Sequence, residues 1–122
     1  MNVLVDSSVW IAHFRKPDAT LAELLEQDQV LVHPMVLAEL ACGTPPEPRA
    51  RTLDDVSQLR PCRQATLAEV MDFIDREKIY GLGCGVADMH LLASTLVTPG
   101  AKLWTRDKRL SGLADRFGIA YQ

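Results

Sequence analysis

Short apolar runs alternate along this chain with longer segments in which apolar residues recur every three or four positions. The runs at residues 3–5 and 30–32 contain only valine and leucine, which suits strands buried on both faces of a sheet. Further strands are predicted at residues 59–63, 101–105 and 119–121. Pro61 confines the first of these three to the edge of a sheet, because proline cannot donate a ladder hydrogen bond.

The helical periodicity predicts seven helices between these strands. They cover residues 7–14, 19–27, 34–42, 49–58, 67–78, 86–96 and 107–117. Thr66 and Glu69 have the spacing of a capping box, and Gly43 is a typical helix end. Strands that alternate with helices favour a parallel sheet with right-handed crossovers and helices on both faces. We therefore predict one α/β domain with a central, mostly parallel sheet of about four to five strands.

The composition is that of an ordinary folded protein. Of the 122 residues, 48% are hydrophobic and 24% are charged, which argues against a disordered chain. No apolar stretch reaches the roughly 20 residues that a membrane span needs, and the N-terminus lacks a secretory signal pattern, so we expect a cytoplasmic protein. The three cysteines are widely spaced and form no CxxC pair, which suits free thiols in a reducing compartment.

Two acidic residues stand where predicted strands end. Asp6 follows the first strand, and Asp107 follows the strand at residues 101–105. The carboxyl ends of parallel strands form the edge at which α/β sheets bind ligands. Each aspartate also precedes a predicted helix and is well placed to cap it. Ser7 or Ser8 would cap the first helix equally well, so capping does not require an acid at Asp6.

Two further acids stand in apolar helical segments. Glu39 is the only charged residue in the run 35–42, and Asp88 lies in the similarly apolar segment 86–93. A carboxylate among apolar neighbours needs a partner, and a metal ion is one such partner. Asp88 also lies in a first helical turn, where an acid interacts favourably with the helix dipole. Carboxylate oxygens of this kind suit Mg²⁺ or Mn²⁺.

The four acids lie in four short segments of distinctive sequence. These are Asp6-Ser7-Ser8-Val9-Trp10-Ile11, Val36-Leu37-Ala38-Glu39-Leu40, Gly85-Val86-Ala87-Asp88-Met89-His90-Leu91-Leu92-Ala93-Ser94 and Trp104-Thr105-Arg106-Asp107-Lys108-Arg109-Leu110. In this order they resemble the motifs of PIN-domain ribonucleases, most closely the VapC toxins of bacterial type II toxin–antitoxin modules. The resemblance spans nearly the whole chain and departs from the family at none of the acid positions.

The resemblance implies a PIN-like three-layer α/β/α sandwich, formed by residues 1–122 as a single nuclease domain. It implies a metal-dependent endoribonuclease that hydrolyses RNA phosphodiester bonds with Mg²⁺ or Mn²⁺. The catalytic, metal-binding acids would be Asp6, Glu39, Asp88 and Asp107, supported by the hydroxyl groups of Ser8 and Thr105. The resemblance also implies a homodimer and a cognate antitoxin that blocks the site. Contact with DNA would occur only through that antitoxin.

Basic side chains surround the acidic segments, although the formal net charge is −3 and nucleic-acid-binding domains usually have a basic surface. The residues predicted to contact RNA are Arg106, Lys108, Arg109 and His90, with Arg15 and Lys16 completing a basic rim. Such a rim would contact phosphates around an acidic centre. For any one of the arginines and lysines, an ordinary solvated charge is the simpler interpretation, and for His90 the alternative is a packing role.

Two other functions are compatible with part of this pattern. Asp6 alone would suit the phospho-acceptor of a receiver-like signalling domain, but that function leaves Glu39 without a role in its apolar helix. A PIN-like fold that mainly binds an antitoxin and its DNA complex, with little catalysis, is the second alternative. An RNA cleavage assay with and without Mg²⁺ separates this binding module from an enzyme.

Overall fold

Strands and helices alternate through residues 1–121, the part of the chain that this computed structural model describes. The elements are β1 (Asn2–Val5), α1 (Ser7–Arg15), α2 (Ala19–Glu26), β2 (Val30–Val32), α3 (Pro34–Cys42), α4 (Arg49–Ser57), β3 (Arg60–Pro61), α5 (Leu67–Glu77), α6 (Val86–Val97), β4 (Ala101–Trp104) and α7 (Lys108–Arg116). The seven predicted helices are confirmed, and their ends lie within one or two residues of the predicted ends.

The four strands form one sheet in the order β3-β2-β1-β4, and every neighbouring pair is parallel. Strand β1 is central, because Leu4 lies opposite Leu31 on one side and opposite Leu103 on the other. The strand at the outer edge contains Pro61, as the sequence predicted. Since all strands run the same way, the ends of β1, β2 and β4 meet at a single edge of the sheet.

Helices cover both faces of this sheet, which gives the predicted three-layer α/β/α sandwich. Val3, Leu4 and Val5 have no exposed surface, so the central strand is enclosed from both sides. The fully buried core includes Leu21 from α2 and Leu91 from α6. Parallel sheets need this double cover, and the runs at residues 3–5 of β1 and 30–32 of β2 are accordingly apolar without interruption.

The last predicted strand is only partly correct. Within the described residues, the segment 119–121 forms a single bridge between Ala120 and Leu103 and does not extend into a strand. Gly118 turns the chain with a φ of 71°, and Leu103 then bonds to both Ile119 and Tyr121 through its backbone. Among the described residues, Leu103 is the only one that pairs with this segment. The segment therefore forms an isolated bridge and not a fifth strand of the sheet.

Several local predictions are confirmed. The capping box at α5 is complete, with Thr66 Oγ1 accepting from the amide of Glu69 at 3.1 Å and Glu69 Oε1 accepting from that of Thr66 at 2.9 Å. The three cysteines are free, and burial raises the pKa of Cys62 to about 11. None of the described helices is long and apolar enough to cross a membrane.

Candidate active site

Asp6 lies at the carboxyl end of β1 and is almost completely buried, with 4% of its surface exposed. It occupies the N-cap position of α1, yet its side chain makes no capping hydrogen bond. Its Oδ2 atom instead accepts hydrogen bonds from Ser8 Oγ at 2.7 Å and Thr105 Oγ1 at 2.8 Å. The capping alternative for Asp6 is therefore wrong, because two hydroxyl groups hold its carboxylate in place of the helix amides.

The two hydroxyl groups also connect β1 to the loop after β4. Ser8 Oγ accepts a hydrogen bond from the amide of Arg106 at 3.0 Å, and Thr105 Oγ1 accepts one from the amide of Asp107 at 3.0 Å. Each hydroxyl thus has a backbone amide on one side and the Asp6 carboxylate on the other. This arrangement fixes the orientation of Asp6 and brings the segment containing Asp107 to the same sheet edge.

Glu39 is half-buried on α3, where Ser7 Oγ donates a hydrogen bond to its Oε1 atom at 3.1 Å. Burial raises the pKa of Glu39, the hydrogen bond from Ser7 opposes that rise, and the charges of Asp6 and Asp88 add to it. Glu39 therefore lies within electrostatic reach of two other predicted site acids. Ser7 was absent from the predicted site, because its contact with Glu39 spans 32 positions of sequence.

Asp88 is half-buried in the first turn of α6, where its Oδ2 atom accepts a long hydrogen bond of 3.4 Å from the amide of Gly85. Burial raises the pKa of Asp88, the bond from Gly85 opposes the rise, and the charges of Asp6 and Asp107 add to it. The carboxylate of Asp88 thus lies within electrostatic reach of both Asp6 and Asp107.

Asp107 is the one site acid for which the capping prediction is confirmed. Its Oδ1 atom accepts hydrogen bonds from the amides of Arg109 at 2.9 Å and Leu110 at 3.0 Å, and these bonds begin α7. Asp107 is exposed at the sheet edge. One of its carboxylate oxygens is therefore committed to the helix.

The donor chemistry of this edge fits a hard divalent cation. Residues 1–121 contain two salt bridges, Arg60 with Asp28 and Arg76 with Glu77, and neither involves a site acid. A bound cation stabilises neighbouring carboxylates that have no basic partner, and oxygen ligands suit Mg²⁺ or Mn²⁺.

The side-chain positions do not yet form such a centre. Among the described residues, no three histidine, cysteine or acidic side chains already stand together as metal ligands. In this arrangement Glu39 accepts a hydrogen bond from Ser7, Asp88 accepts one from the amide of Gly85, and Asp107 accepts one from the amide of Arg109.

The predicted basic rim divides into two parts. Arg15 and Arg106 line one cavity of about 480 Å³ together with Ser8, which directly supports Asp6. Arg109 lies instead against the glycine loop before α6, where a Cβ atom at Gly83 would approach Arg109 Nη1 to 2.7 Å. Gly83 has a φ of 86°, a backbone conformation that favours glycine, whereas the flexible end of the Arg109 side chain can move away from an added Cβ atom.

The two other residues predicted to contact RNA are Lys108 and His90. Lys108 is exposed at the start of α7, and His90 is half-buried on α6. The ring of His90 lies 5.9 Å from that of His33, a buried residue that the sequence had not marked as functional. His33 Nδ1 accepts a hydrogen bond from the amide of Met35 at 2.9 Å and so caps α3.

Comparison with known proteins agrees with this fold. Residues 3–116 match the model of the PIN domain family. The chain is 42% identical over 118 residues to Ribonuclease VapC32 of Mycobacterium tuberculosis, in strains CDC 1551 / Oshkosh and ATCC 25618 / H37Rv. The alignment covers 97% of this chain and 94% of the relative. The chain therefore belongs to the PIN-domain family, and the VapC-type membership predicted from its motifs is confirmed.

Proposed function

We propose that this protein is a metal-dependent endoribonuclease toxin, which hydrolyses RNA phosphodiester bonds and is neutralised by a cognate antitoxin. One observation carries the proposal. The buried carboxylate of Asp6 is held by two hydroxyl groups at the edge of the sheet. Its charge raises the pKa of Glu39 and of Asp88, and the charge of Asp107 adds to the rise at Asp88. The 42% identity to a protein named as a ribonuclease supports the same activity.

The metal-binding residues in this proposal are Asp6, Glu39, Asp88 and Asp107, and the ion is Mg²⁺ or Mn²⁺. When bound, the ion supplies Lewis acidity at the scissile phosphate. Ser8 and Thr105 hold the Asp6 carboxylate in one orientation, which lowers the reorganisation needed when the cation binds. The charge of Asp88 raises the pKa of Glu39, and a bound cation would offset this repulsion, so the two carboxylates would favour its binding for an electrostatic reason.

The basic residues of the chain bind the substrate in this account. Arg15 and Arg106 face a common cavity beside Ser8, where they attract the phosphates on one side of the scissile bond. Arg109 and Lys108 at the start of α7, and His90 on α6, would supply further contacts to the RNA. Basic side chains beside an acidic centre would reconcile the net charge of −3 with an RNA substrate.

Membership of the PIN-domain family leaves the receiver-like alternative without support. The alternative of a binding module with little catalysis is an outcome of the experiment below. A single domain over residues 1–122, a homodimer and an indirect link to DNA through the antitoxin belong to the same proposal, as the family resemblance implies. The three free cysteines support a reducing compartment such as the cytoplasm.

Removal of divalent metal tests the activity directly. We expect the purified protein, stripped with EDTA, to leave a structured RNA intact, and Mg²⁺ or Mn²⁺ to restore cleavage. An equimolar amount of the antitoxin should then stop the reaction. Asp54→Asn removes an exposed acid on α4 and serves as the control, since it should cleave like the wild type. Full cleavage in EDTA would refute the metal dependence. Tight antitoxin binding without cleavage in any metal would favour the binding module.

The hydroxyl group of Thr105 is expected to matter through Asp6. Thr105→Val keeps the shape of the side chain but removes the 2.8 Å hydrogen bond to Asp6 Oδ2. Loss of a group that orients a ligand typically costs about 10- to 100-fold in activity or metal affinity. Initial cleavage rates at saturating Mg²⁺ measure the effect. Thr52→Val, which removes a 2.8 Å bond to the carbonyl of Pro46, is the matched control. Equal losses in both variants would contradict the role of Thr105.

A further inference from the structure

A cavity of about 480 Å³ adjoins Glu39, between the C-terminal half of α1 and the loop that follows α3. Ile11 and Phe14 contribute apolar surface from α1, and Pro45 contributes apolar surface from the loop. Arg15 and Glu39 are the charged residues of the lining. The cavity is therefore largely apolar, with one charge of each sign, and it lies beside a predicted metal ligand.

A second cavity shares a wall with this one. Ile11 and Arg15 line both cavities, and the second also contains Ser8 and Arg106. The two shared residues are four positions apart on α1, so their side chains are neighbours on one face of the helix. A basic cavity with two arginines thus adjoins the apolar one. Both reach the candidate active site, one through Ser8 and the other through Glu39.

The walls of the apolar cavity are held by contacts within the protein. The ring of Phe14 packs against that of Trp10, a buried residue, with centroids 5.9 Å apart. Arg49 joins both ends of the loop after α3, because its Nη2 atom donates to the carbonyl of Ala41 at 2.7 Å and its amide donates to Glu47 Oε2 at 3.0 Å. The cavity is thus preformed, and binding there needs little ordering of the protein.

The two cavities match the two chemical parts of a nucleotide. Arginine side chains bind the phosphate anion through paired hydrogen bonds, and the flat apolar faces of a base pack against aromatic and aliphatic side chains. We propose that the cavity beside Glu39 binds one nucleobase of the RNA next to the scissile bond, with Ile11 and Phe14 as its contacts to the faces of the base. This inference rests on the proposed function and names the part of the substrate that the cavity takes.

The position of the cavity favours RNA over a segment of the antitoxin as its occupant. A base and its phosphate are joined through one ribose, so an RNA that places a phosphate at the acids must also place a base close by. The apolar cavity lies at such a place, since Glu39 lines it and Ser8 lines the cavity next to it. An inhibitor has no such requirement, because it only has to cover the site.

Nuclear magnetic resonance with single nucleotides tests the cavity without any cleavage. The probes are the four ribonucleoside 5′-monophosphates, each added to the wild-type protein in EDTA, and ribose 5-phosphate is the matched compound without a base. We expect at least one nucleotide to shift the methyl signals of Ile11 and the ring signals of Phe14, because a base has a ring current that ribose lacks. Equal shifts with ribose 5-phosphate, or no shift at either residue with any nucleotide, would overturn the inference.

RNA cleavage tests the same contact in the reaction. Sequencing the products of a short RNA pool of random sequence identifies the best-cleaved sequence, and each nucleotide beside the cut is then replaced in turn by an abasic one. We expect one such replacement to lower kcat/KM of the wild-type protein about tenfold, because the faces of that base lose their contacts. Ile11→Ala should cleave the intact RNA severalfold more slowly, and the abasic nucleotide should then cost less than it does in the wild type.

Leu96→Ala is the matched control for this substitution. Leu96 on α6 is 38% exposed and Ile11 is 40% exposed, so both truncations should leave the fold intact. Leu96→Ala should cleave both RNAs like the wild type. Losses from Ile11→Ala that are independent of every abasic replacement would count against base binding. An Ile11→Ala protein that cleaves like the wild type but escapes inhibition would assign the cavity to the antitoxin and overturn the inference.

The two experiments distinguish failure of the inference from failure of the proposed function. If nucleotides shift the signals of Ile11 but RNA stays intact in every metal, the proposed function fails and the cavity remains a base-binding site. If RNA is cleaved but neither experiment affects Ile11, the inference fails and the proposed function stands.

Discussion

Asp6→Asn is expected to lower the rate of RNA cleavage at least about 10³-fold, which corresponds to roughly 4 kcal/mol of lost transition-state stabilisation. Asparagine has the same shape, and its side-chain oxygen can still accept hydrogen bonds from Ser8 and Thr105. The fold should therefore persist while the negative charge that attracts the cation is lost. Initial rates with a defined RNA in Mg²⁺, together with a thermal melt, measure both quantities.

The control for this substitution is Asp54→Asn, which changes the net charge by the same amount at an exposed position of α4. It should cleave at the wild-type rate. An Asp6→Asn protein within a few-fold of the wild type, and still responsive to Mg²⁺, would remove Asp6 from the centre of the mechanism. A protein that loses its cooperative melt would show instead that the charge of Asp6 is needed for folding.

Glu39→Gln is expected to have opposite effects on stability and on metal binding. Burial and the charges of Asp6 and Asp88 raise the pKa of Glu39 in the folded state. The folded protein then binds this proton more readily than the unfolded chain, so stability falls as the pH rises from the ordinary pKa of Glu39 through its raised value. At pH 7 the ionised side chain is destabilising. Glutamine removes that penalty and keeps an oxygen for the hydroxyl of Ser7.

We therefore expect Glu39→Gln to raise Tm in EDTA by about 2 to 5 °C and to weaken Mn²⁺ binding at least about tenfold. Thermal melts in EDTA and calorimetric titration with Mn²⁺ measure the two effects. The gain in Tm should disappear at acidic pH, where the carboxyl group is protonated in both states. Glu26→Gln, at an exposed position of α2, should change neither quantity. A lower Tm with unchanged Mn²⁺ affinity would give Glu39 a structural role only.

The fold was largely predictable because its signals are local. The uninterrupted apolar runs at residues 3–5 and 30–32 mark strands enclosed on both faces, and each helix has its own periodicity and end signals. The segment 119–121 shows the limit of this approach. Its Ile-Ala-Tyr pattern is that of a strand, yet whether it pairs along its length depends on how Gly118 directs it towards Leu103. That contact involves β4 and cannot be deduced from three residues.

The sequence singled out the four candidate acids, but it did not indicate most of the residues that contact them. Asp6 and Asp107 each have a cap-like sequence context, and local pattern could not decide which of them caps a helix. The structure distinguishes the two, because Thr105, 99 residues away, donates a hydrogen bond to the Asp6 carboxylate, which does not cap its helix. Ser7 and His33 were missed for the same reason, since each has an ordinary local role. Their contacts with Glu39 and His90 exist only in the folded chain.

The position of a bound Mn²⁺ ion tests the central claim most directly. We would grow crystals of the wild-type protein, soak them in millimolar Mn²⁺ and calculate an anomalous difference map near the manganese edge. The account predicts a peak between the carboxylates of Asp6, Glu39, Asp88 and Asp107, with Asp88 released from the amide of Gly85. Asp6→Asn crystals treated identically should lose that peak. A wild-type map with no peak among these four carboxylates, or with manganese bound only elsewhere, would contradict the account.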